Sequence, residues 1–495
     1  MTTSPDQILA RLAQLRELDA PTHGGHLLSY VYDAGRPDLD DLAGGAIKAM
    51  QPVNGLDPTT FRSVAVLEHE VVDFARQVLH ADDDVVGTAT AGGTESCLLA
   101  VKTARDAWRA RGGRGRPRLL APVTVHAGFR KAAALFDLEL DLISVDPSNG
   151  QLDPAALTAR LASDVALVVL SAPCYPFACL DPIDQIAPVA QAAGVDVHVD
   201  ACVGGFALAF WPDGAAGGPQ APWDFAVPGV TSLSADLHKY GYAPKGISVL
   251  LQRGRDRQRH QWFAVSSWPG YPVVNATLLG SKSAAPLAAA WAIIQALGVD
   301  GFTELTASMA ASTAAVADQI GGIEGLRVVG TPTGPMLSLA ADETNPSRRV
   351  DPHLWADAMA AHGFAVQIQP ACWQPDGTRL PSTAHITITP VTHQVIAELA
   401  AAAVSAADAV RGQPHLDGAA IAAQLFGGNA DAMAGPLDSR TAVAILAAAG
   451  LLTPSGQPPA EGLGSLAPVL ALVETLPAPL VERLLIELLA AGIES

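Results

Sequence analysis

A lysine preceded by a histidine is a candidate for covalent chemistry. Lys239 closes the run Ser232-Leu-Ser-Ala-Asp-Leu-His238-Lys239, and glycines follow at Gly241 and Gly246. A lysine amine attacks a carbonyl only as the neutral base, which a partly dry site near other cationic groups favours. A solvated surface lysine is the alternative. The small and apolar flanks, with a strand directly after them, favour the reactive amine.

Asp200 is a candidate for holding a heterocyclic nitrogen. It follows the β-branched run Val195-Asp-Val-His-Val and precedes small residues, so we expect it at the carboxyl edge of a parallel strand. Open α/β sheets bind their ligands at that edge. A carboxylate there can keep a pyridine nitrogen protonated, which turns the ring into an electron sink. A helix N-cap or a turn aspartate is the alternative for this residue taken alone.

A glycine turn before a helix is a candidate anion site. Gly92, Gly93 and Thr94 precede a helical stretch over residues 97–105. Glycines let the backbone approach an anion, which Thr94 and the amides of the helix N-terminus can bind. A plain turn is the alternative. Because the segment matches neither the Walker motif nor GxGxxG, a nucleoside triphosphate is not supported.

The elements that must position these segments follow an alternating pattern. Short apolar runs over 166–170, 195–199 and 247–251 alternate with helical stretches over 154–162 and 182–193. Asp153 and Asp181 each precede a proline, which predicts a helix N-cap at both aspartates. This alternation predicts an α/β fold whose mostly parallel sheet is covered by helices on both faces.

A change of pattern near residue 310 predicts a second, smaller domain of the α+β class. We divide the chain into an N-terminal arm over 1–60, a large domain over 61–307 that carries the three segments, a small domain over 308–411 and a helical extension over 412–495. A Pro/Gly-rich stretch over 453–465 predicts a linker within the extension.

Charge and composition exclude several classes of partner. The 495 residues contain 30 Lys+Arg against 49 Asp+Glu, a formal net charge of −19, so no basic surface for nucleic acid or anionic lipid is expected. The hydrophobic share of 49% excludes a disordered chain. The apolar stretch over 441–452 is shorter than the roughly 20 residues that span a bilayer, so we expect no membrane insertion.

Cysteine usage predicts a reducing compartment. The cysteines are odd in number, scattered and without the spacing of metal ligands, which predicts neither a disulfide framework nor a metal site. The N-terminus lacks the charged and apolar regions of a signal peptide. We therefore expect a cytoplasmic protein. The five residues are Cys97, Cys174, Cys179, Cys202 and Cys372.

The order of the three segments is that of the fold-type-I pyridoxal 5′-phosphate enzymes. GTATAGGTESCLLAVKTARD, HVDACVGGFALAF and SLSADLHKYGYAPKGISVLL resemble the sphingosine-1-phosphate lyase branch of the group II decarboxylase superfamily. The similarity runs from about residue 25 to residue 394 and leaves the last 80 or so residues unassigned. It implies an aminotransferase-like large domain, a smaller C-terminal α+β domain and pyridoxal 5′-phosphate as cofactor.

The resemblance also implies a role for each matching residue. Lys239 attaches the cofactor as a Schiff base, Asp200 pairs with its ring nitrogen, and His126 stacks over the ring and can move protons. The other cofactor-binding residues are Gly92, Gly93 and Thr94 in the phosphate turn, His238 at the phosphate, Ala201 beside the ring, Ser171 in the pocket wall, and Gly280 and Ser281 in a loop that approaches the neighbouring subunit's cofactor.

The substrate residues match the resembled family only in part. Tyr32 and Lys245 match residues that hold the substrate's phosphate there, but Asn54 stands where the family has a histidine. Phe177, in Pro173-Cys-Tyr-Pro-Phe177-Ala, replaces a second histidine. Two substrate-side histidines are thus absent, while the cofactor-side residues match.

The resemblance implies a carbon–carbon lyase that acts on an amino alcohol or amino acid, phosphorylated or not. The alternatives are an amino-acid α-decarboxylase and a cofactor-binding pseudoenzyme without turnover. We expect a small-molecule amine as substrate. We also expect an obligate homodimer with shared active sites, because Tyr32 and the loop at Gly280 would each reach a neighbour's cofactor.

Overall fold

The computed structural model describes residues 3–426, 437–453, 455–457, 459 and 464–494. The chain divides into two compact units. The first comprises residues 1–318, 329–338 and 386–398, and the second comprises 319–328, 339–385 and 399–495. The first unit therefore joins the predicted N-terminal arm to the predicted large domain. The predicted four-part division stays a prediction.

Short apolar runs bounded by turns form the strands of both units, as their β-branched composition favours. The strands are β1 (Val85–Thr90), β2 (Arg118–Pro122), β3 (Glu139–Ile143), β4 (Val165–Ser171), β5 (Asp196–Asp200), β6 (Val230–Ala235), β7 (Ser248–Arg253), β8 (Phe263–Val265), β9 (Val273–Asn275), β10 (Leu326–Val328), β11 (Met336–Ala341), β12 (Gln367–Gln369), β13 (Cys372–Trp373), β14 (Arg379–Leu380) and β15 (Thr383–Thr387).

Helices occupy the longer segments between and after the strands. They are α1 (Pro5–Arg16), α2 (Pro37–Met50), α3 (Arg62–Val78), α4 (Gly93–Ala110), α5 (Ala127–Phe136), α6 (Pro154–Thr158), α7 (Ile183–Ala192), α8 (Gly205–Leu208), α9 (Arg255–Arg259), α10 (Ala285–Gly321), α11 (Pro352–Ala361), α12 (Ile396–Val410), α13 (Gly418–Phe426), α14 (Ser439–Ala448), α15 (Ala467–Thr475) and α16 (Ala478–Glu494).

The first unit is built on a seven-stranded sheet in the order β1-β7-β6-β5-β4-β2-β3. β2 is parallel to β3 and β4, and β4, β5 and β6 are parallel in turn, whereas β7 is antiparallel to both of its neighbours. Every residue of β4 and β5 is buried, as strands covered on both faces require. The predicted α/β fold with a mostly parallel sheet is confirmed.

The predicted helix caps were right at one aspartate and wrong at the other. Asp153 caps α6, since its side chain accepts a hydrogen bond from the Ala155 amide. Asp181 does not cap α7, which begins after Pro182. Its carboxylate instead accepts a hydrogen bond from the Ser171 amide at 2.7 Å, because the end of β4 lies beside it in the buried core.

The second unit contains a small sheet and the C-terminal helices. A four-stranded sheet has the order β10-β11-β15-β12, with β10 antiparallel to β11 and β12 antiparallel to β15. α13 packs on α15, α14 packs on α16, and α15 also contacts α11. Glu474 on α15 accepts a hydrogen bond from the Ala371 amide and forms an ion pair with Arg379. The linker predicted over 453–465 lies partly outside the described residues.

One helix of the described chain, α10, is long and apolar enough to cross a membrane by length and composition. This stretch was not recognised as such from the sequence. The core helices of globular proteins pass the same test, and 56% of the apolar window of α10 is buried within the protein. The helix is also interrupted at Gly298, where the backbone leaves the helical conformation.

Candidate active site

The chemistry-bearing segments meet at the carboxyl edge of the large sheet. The turn at Gly92 follows β1, His126 follows β2, Ser171 ends β4, Asp200 ends β5, and Lys239 follows β6. These side chains surround one cavity of about 350 Å³. The cavity is lined by Ala91, Gly92, Gly93, Thr94, Glu95, His126, Ser171, Pro173, Tyr175, Asp200, Cys202, Val203, Asp236, His238 and Lys239.

Asp200 is fixed at the end of β5 by its neighbours. Its carboxylate accepts a hydrogen bond from the Cys202 amide at 3.1 Å. Ser171 is its partner in the parallel register of β4 and β5. Ala201 is fully buried behind the cavity and donates its amide hydrogen to the Ser234 carbonyl. Asp200 therefore presents a carboxylate to the cavity from the centre of the sheet.

The turn before α4 presents backbone to the cavity. Gly92 has φ +144°, a conformation that other residues rarely adopt. A Cβ atom on Gly93 would lie 2.5 Å from Oδ2 of Asp236, so a side chain there would have to displace the buried carboxylate. The first amides of α4 have no intrahelical acceptor and carry the positive end of the helix dipole. The turn can therefore bind an anion.

Lys239 is held beside a buried carboxylate. Its Nζ atom lies 2.9 Å from Oδ2 of Asp236. Burial is the largest single effect and favours the neutral amine, but Asp236 and weaker neighbouring groups together outweigh it, so the pKa of Lys239 lies above its ordinary value. The Nδ1 atom of the adjacent His238 lies 2.7 Å from the carbonyl oxygen of Ile247, within hydrogen-bond distance. Burial lowers the pKa of His238.

His126 caps the helix that follows β2. Its Nδ1 atom accepts a hydrogen bond from the Gly128 amide at 3.1 Å. A neutral imidazole that accepts at Nδ1 carries its proton on Nε2. The ring of His126 lines the cavity, so Nε2 is the nitrogen with which it can donate a proton.

Two of the predicted substrate residues lie beside Lys239 of their own chain. The Nζ atom of Lys245 lies 4.7 Å from the centre of the Tyr32 ring, and the Tyr32 and Tyr240 rings meet edge to face at 4.9 Å. Lys239 and Asp236 both act electrostatically on the Tyr32 phenol. The prediction that Tyr32 reaches a neighbour's cofactor was therefore wrong, because the N-terminal segment folds back onto its own chain.

Asn54, Gly280 and Ser281 lie together, away from the cavity of their own Lys239. The Asn54 amide nitrogen donates to Oγ of Ser281 at 3.3 Å, and its carbonyl oxygen accepts from the Lys282 amide at 3.3 Å. Gly280 and Ser281 line a second, larger cavity of about 1000 Å³. In this chain the structure therefore does not bring Asn54, Gly280 or Ser281 to the Lys239 cavity.

The cavity residues that were not predicted from the sequence include Glu95, Tyr175 and Asp236. Asp236 stands three residues before Lys239, and this spacing was the one sequence feature that could have indicated that the two side chains meet. Glu95 follows the glycine turn directly. Burial raises the pKa of the Tyr175 phenol, which keeps it protonated.

A cluster of possible metal ligands lies at the same place. The sulfur atoms of Cys97 and Cys202 and a carboxylate oxygen of Asp200 lie within 4.8 Å of one another. The hydrogen bond with Cys97, together with burial, raises the pKa of Cys202 well above its ordinary value. A metal ligand must be a thiolate, which these protonated thiols are not. The absence of a metal site stays a prediction.

Comparison with known families gives two matches. Residues 35–324 match the pyridoxal-dependent decarboxylase conserved domain. Residues 396–491 match a domain described as the C-terminal putative HTH domain of pyridoxal-dependent enzymes. The second match covers most of the extension that sequence motifs left unassigned.

Curated relatives are sphingosine-1-phosphate lyases. The chain is 38% identical to the enzyme of Dictyostelium discoideum over 289 residues, which cover 58% of this chain and 54% of that protein. It is 32% identical to the enzyme of Drosophila melanogaster over 396 residues, which cover 78% of this chain and 69% of that protein. The chain thus spans about half the length of the Dictyostelium protein.

Solved structures share the fold. A sphingosine-1-phosphate lyase of Burkholderia pseudomallei matches with a TM-score of 0.75 and 28% identity, over 87% of this chain and 95% of that one. A glutamate decarboxylase of Lactobacillus brevis matches with a TM-score of 0.71 and 19% identity, over 84% and 95%. At 19% identity the likeness shows the fold alone.

The cavity fits pyridoxal 5′-phosphate. The cofactor carries a phosphate, an aldehyde and a pyridine nitrogen, and the cavity offers the Gly92–Gly93–Thr94 turn, the amine of Lys239 and the carboxylate of Asp200. Its volume of about 350 Å³ lies within the roughly 300–1,000 Å³ of small-ligand sites. Gly92 and Gly93 line the cavity without side chains, so the backbone of the turn is open to a phosphate. The residues present therefore fit the cofactor that the family match and the solved structures indicate.

Proposed function

Because the chain belongs to the pyridoxal-dependent decarboxylase family, we propose that it is a carbon–carbon lyase that cleaves a phosphorylated 2-amino alcohol of the sphingosine 1-phosphate kind. The relatives named as sphingosine-1-phosphate lyases support this reaction. The products would be an aldehyde and a phosphorylated amine.

The observation that carries the proposal is a second cation beside the reactive lysine. Lys245 holds its ammonium 4.7 Å from the centre of the Tyr32 ring and donates a hydrogen bond to the His238 carbonyl at 3.2 Å. A lysine ammonium is a point charge that binds phosphate without a fixed geometry. Tyr32 and Lys245 together offer a phenol and a charge to the phosphate of a substrate.

The residues in and beside the cavity have separate roles in the proposed reaction. Bound pyridoxal phosphate withdraws electrons from the carbon that bears the substrate's amine, which allows a bond at that carbon to break. Lys239 attaches the cofactor, and Asp200 keeps its ring nitrogen protonated. His126 carries a proton on Nε2, and Tyr175 and Val203 help to enclose the cavity. Contacts at Tyr32 and Lys245 orient the substrate, and its orientation selects the bond that breaks.

Amino-acid decarboxylation is the alternative reaction, and the named relatives do not favour it. Two departures from the resembled family nevertheless concern the substrate: Asn54 and Phe177 stand where histidines are expected. Asparagine donates a hydrogen bond without a charge, so the phosphate would depend more strongly on Lys245. The retained Lys239, Asp200 and His126 argue against a pseudoenzyme.

Product analysis tests the proposal directly. The purified, cofactor-loaded protein is incubated with a phosphorylated sphingoid base and, separately, with a mixture of amino acids, and the products are identified by mass spectrometry. Phosphoethanolamine and a fatty aldehyde are the expected products, and Lys239→Ala is the control that should form neither. An amine that is lighter than its parent amino acid by carbon dioxide would contradict the proposal and show that the protein is a decarboxylase.

We further propose that two copies of the chain form the working enzyme. One cluster, separate from the Lys239 cavity of its own chain, contains Asn54, Gly280 and Ser281. In a dimer this cluster would line the cofactor site of the second copy. Large apolar side chains near this cluster are exposed, as an interface requires. They are Phe263, Trp268, Tyr271, Val274, Leu278 and Leu279.

The dimer is tested by sedimentation and by activity at decreasing protein concentration. Phe263→Asp, on the exposed hairpin of β8 and β9, should weaken both dimer formation and activity. Leu135→Asp, equally exposed on α5, is the matched control and should change neither. A monomer with full activity at nanomolar concentration would contradict the shared site.

The composition of the C-terminal extension argues against nucleic acid as a partner. Residues 412–495 contain two basic residues, Arg440 and Arg483, against eight acidic ones. A helix-turn-helix that binds DNA needs a basic surface for the phosphates, which this composition does not supply. We therefore propose that the HTH-like domain binds no nucleic acid.

We also propose a cytoplasmic location without membrane insertion. Cys97, Cys174, Cys179, Cys202 and Cys372 are free thiols, which a reducing compartment preserves. The acidic composition disfavours contact with anionic lipid. Fractionation of cells that express the full chain, followed by a salt and carbonate wash of the membranes, tests this location.

A further inference from the structure

Asp236 is a buried carboxylate that the reaction assigned above does not use. It follows β6, its side chain is 1% exposed, and it lines the cavity. Its Oδ2 atom lies 2.9 Å from Nζ of Lys239 and 3.5 Å from Nε2 of His238. The same oxygen faces the phosphate turn, since a Cβ atom on Gly93 would lie 2.5 Å from it. Asp236 thus stands between the turn and the reactive lysine.

We propose that Asp236 is a positioning residue that sets the charge of Lys239: whenever the lysine is not attached to the cofactor, the carboxylate holds it as an ammonium ion directed at the phosphate turn. This inference rests on the proposed assignment of Lys239 as the lysine that attaches the cofactor. It adds a residue that the family resemblance did not supply, and it fixes the protonation state in which the released lysine acts.

The other groups that face Lys239 do not replace Asp236 as its counter-ion. Burial raises the pKa of Tyr32, and the hydrogen bond with Cys97 together with burial raises that of Cys202, so both stay neutral. Asp200 acts on Lys239 less strongly than Asp236 does. These other groups are Tyr32 from the N-terminal segment, Asp200 and Cys202 at the end of β5, and His238 and Lys245 from the segment after β6.

Asp236 stays ionised although it is buried. Burial alone would raise the pKa of its carboxyl, but its neighbours, Lys239 foremost, and its hydrogen bonds together outweigh that effect and lower the pKa. A buried ion pair that lost one partner would leave an uncompensated charge, which is strongly destabilising. The two groups therefore keep each other charged while Lys239 is free.

The pairing makes the released lysine a proton donor. Once Lys239 is free of the cofactor, its Nζ atom would take the proton that the incoming substrate ammonium gives up, and Asp236 would hold the resulting ammonium ion. That ammonium would then protonate the substrate carbon that keeps the electron pair of the broken carbon–carbon bond: this pair forms the new C–H bond, and the electrons of the N–H bond return to Nζ. The neutral amine that results is the form that attaches the cofactor again.

Chemical labelling of the cofactor-free protein tests the pairing without any turnover. The acetylation rate of Lys239 is measured against pH by peptide mass spectrometry, with exposed Lys48 in the same sample as the reference. In the unaltered chain the labelling midpoint of Lys239 should lie above that of Lys48. In Asp236→Asn it should fall by at least about one pH unit, because the strongest of the groups that oppose the effect of burial is then removed.

Asp181→Asn is the matched control. Asp181 is also a buried carboxylate near the cavity, but it binds the Ser171 amide and not Lys239. Its variant should leave the Lys239 midpoint unchanged, and circular dichroism and thermal melting show whether each variant is folded. If Asp236→Asn does not fold, the labelling of the unaltered chain still tests the proposal. A Lys239 midpoint at or below that of Lys48 would overturn it. An unchanged midpoint in folded Asp236→Asn overturns it as well.

The failure of this inference and of the lyase proposal can be told apart. Labelling uses the cofactor-free chain and no substrate, so its outcome is independent of which substrate bond is broken. If the Lys239 midpoint falls in Asp236→Asn but the products are decarboxylated amines, the role of Asp236 stands and the lyase proposal fails. If the Lys239 midpoint is unchanged in Asp236→Asn but an aldehyde is formed, the lyase proposal stands and the role of Asp236 fails.

Discussion

Glu95 accepts a hydrogen bond from the Ala91 amide at 2.6 Å through its Oε2 atom. Its Oε1 atom accepts from the amides of Leu278 at 2.8 Å and Leu279 at 3.3 Å. One buried carboxylate thus fastens the start of the phosphate turn to the segment that leads into Gly280. The cofactor site and the loop expected to serve a second subunit are therefore held by the same side chain.

Glu95→Ala should loosen the cofactor. Its loss removes three backbone hydrogen bonds to a buried carboxylate, and a hydrogen bond to a charged group contributes about 1.5–3 kcal/mol. We expect cofactor binding to weaken by at least about tenfold, measured by titrating the cofactor-free protein and following the absorbance of the bound form. Glu139→Ala, at an exposed position of β3, is the control. Equal affinity in the two variants would show that the turn keeps its shape without Glu95.

Lys239→Ala should abolish covalent attachment of the cofactor. The Nζ atom of Lys239 is the amine in the cavity, whereas that of Lys245 lies over the Tyr32 ring. The expected result is complete loss of the absorbance of the attached cofactor, and Lys245→Ala should keep it. Retained absorbance in Lys239→Ala would mean that another lysine reacts.

The fold and the cofactor side of the site could be predicted because both depend on local sequence. Buried parallel strands appear as continuous apolar runs, and the residue that ends such a run lies at the edge where ligands bind. Asp200 was found in this way, whereas the Gly92–Gly93 turn was found as a glycine turn that precedes a helix. Lys239 could be assigned because a strand of the same sheet precedes it.

Contacts between distant segments could not be predicted. Glu95 meets Leu278 across 183 residues of sequence, and no spacing rule connects them. Asp181 has the local pattern of a helix cap, but tertiary contact with Ser171 decides its partner. Tyr32 was assigned to a neighbour's site because sequence does not tell in which direction an N-terminal arm folds.

Lys245→Ala should weaken binding of a phosphorylated substrate and spare the cofactor. A hydrogen bond to a charged group contributes about 1.5–3 kcal/mol, which corresponds to a loss of roughly 10- to 100-fold in kcat/KM. Lys131→Ala, at an exposed position of α5, is the control for the loss of one positive charge. Unchanged kcat/KM for the phosphorylated substrate would remove Lys245 from the phosphate site.

The same lysine predicts a pH dependence of substrate binding. Burial and the neighbouring charge of Lys239 lower the pKa of Lys245 to about 8. Lys245 carries its positive charge below this pH and loses it above, so KM for the phosphorylated substrate should rise as the pH increases through about 8. Lys245→Ala should lack this rise. The same rise in both proteins would assign the titration to another group.

His198 should make the folded state sensitive to acid. The ring is fully buried, with its nitrogens 2.9 Å and 3.1 Å from the hydroxyls of Ser232 and Ser234. Burial lowers the pKa of His198 to about 4 from its ordinary value of 6.5. Between these values the unfolded chain binds the proton and the folded chain does not, so acid favours unfolding.

The free energy of unfolding should therefore fall as the pH decreases from about 6.5 towards about 4, with roughly 3 kcal/mol of the loss attributable to His198. Denaturant titrations at several pH values measure it. His198→Gln should flatten the pH dependence because glutamine takes up no proton, while His362→Gln, at an exposed position, should retain it. Part of the slope remains in both variants, since burial also lowers the pKa of His385, to about 3. Parallel curves for His198→Gln and the unaltered chain would show that His198 does not titrate on unfolding.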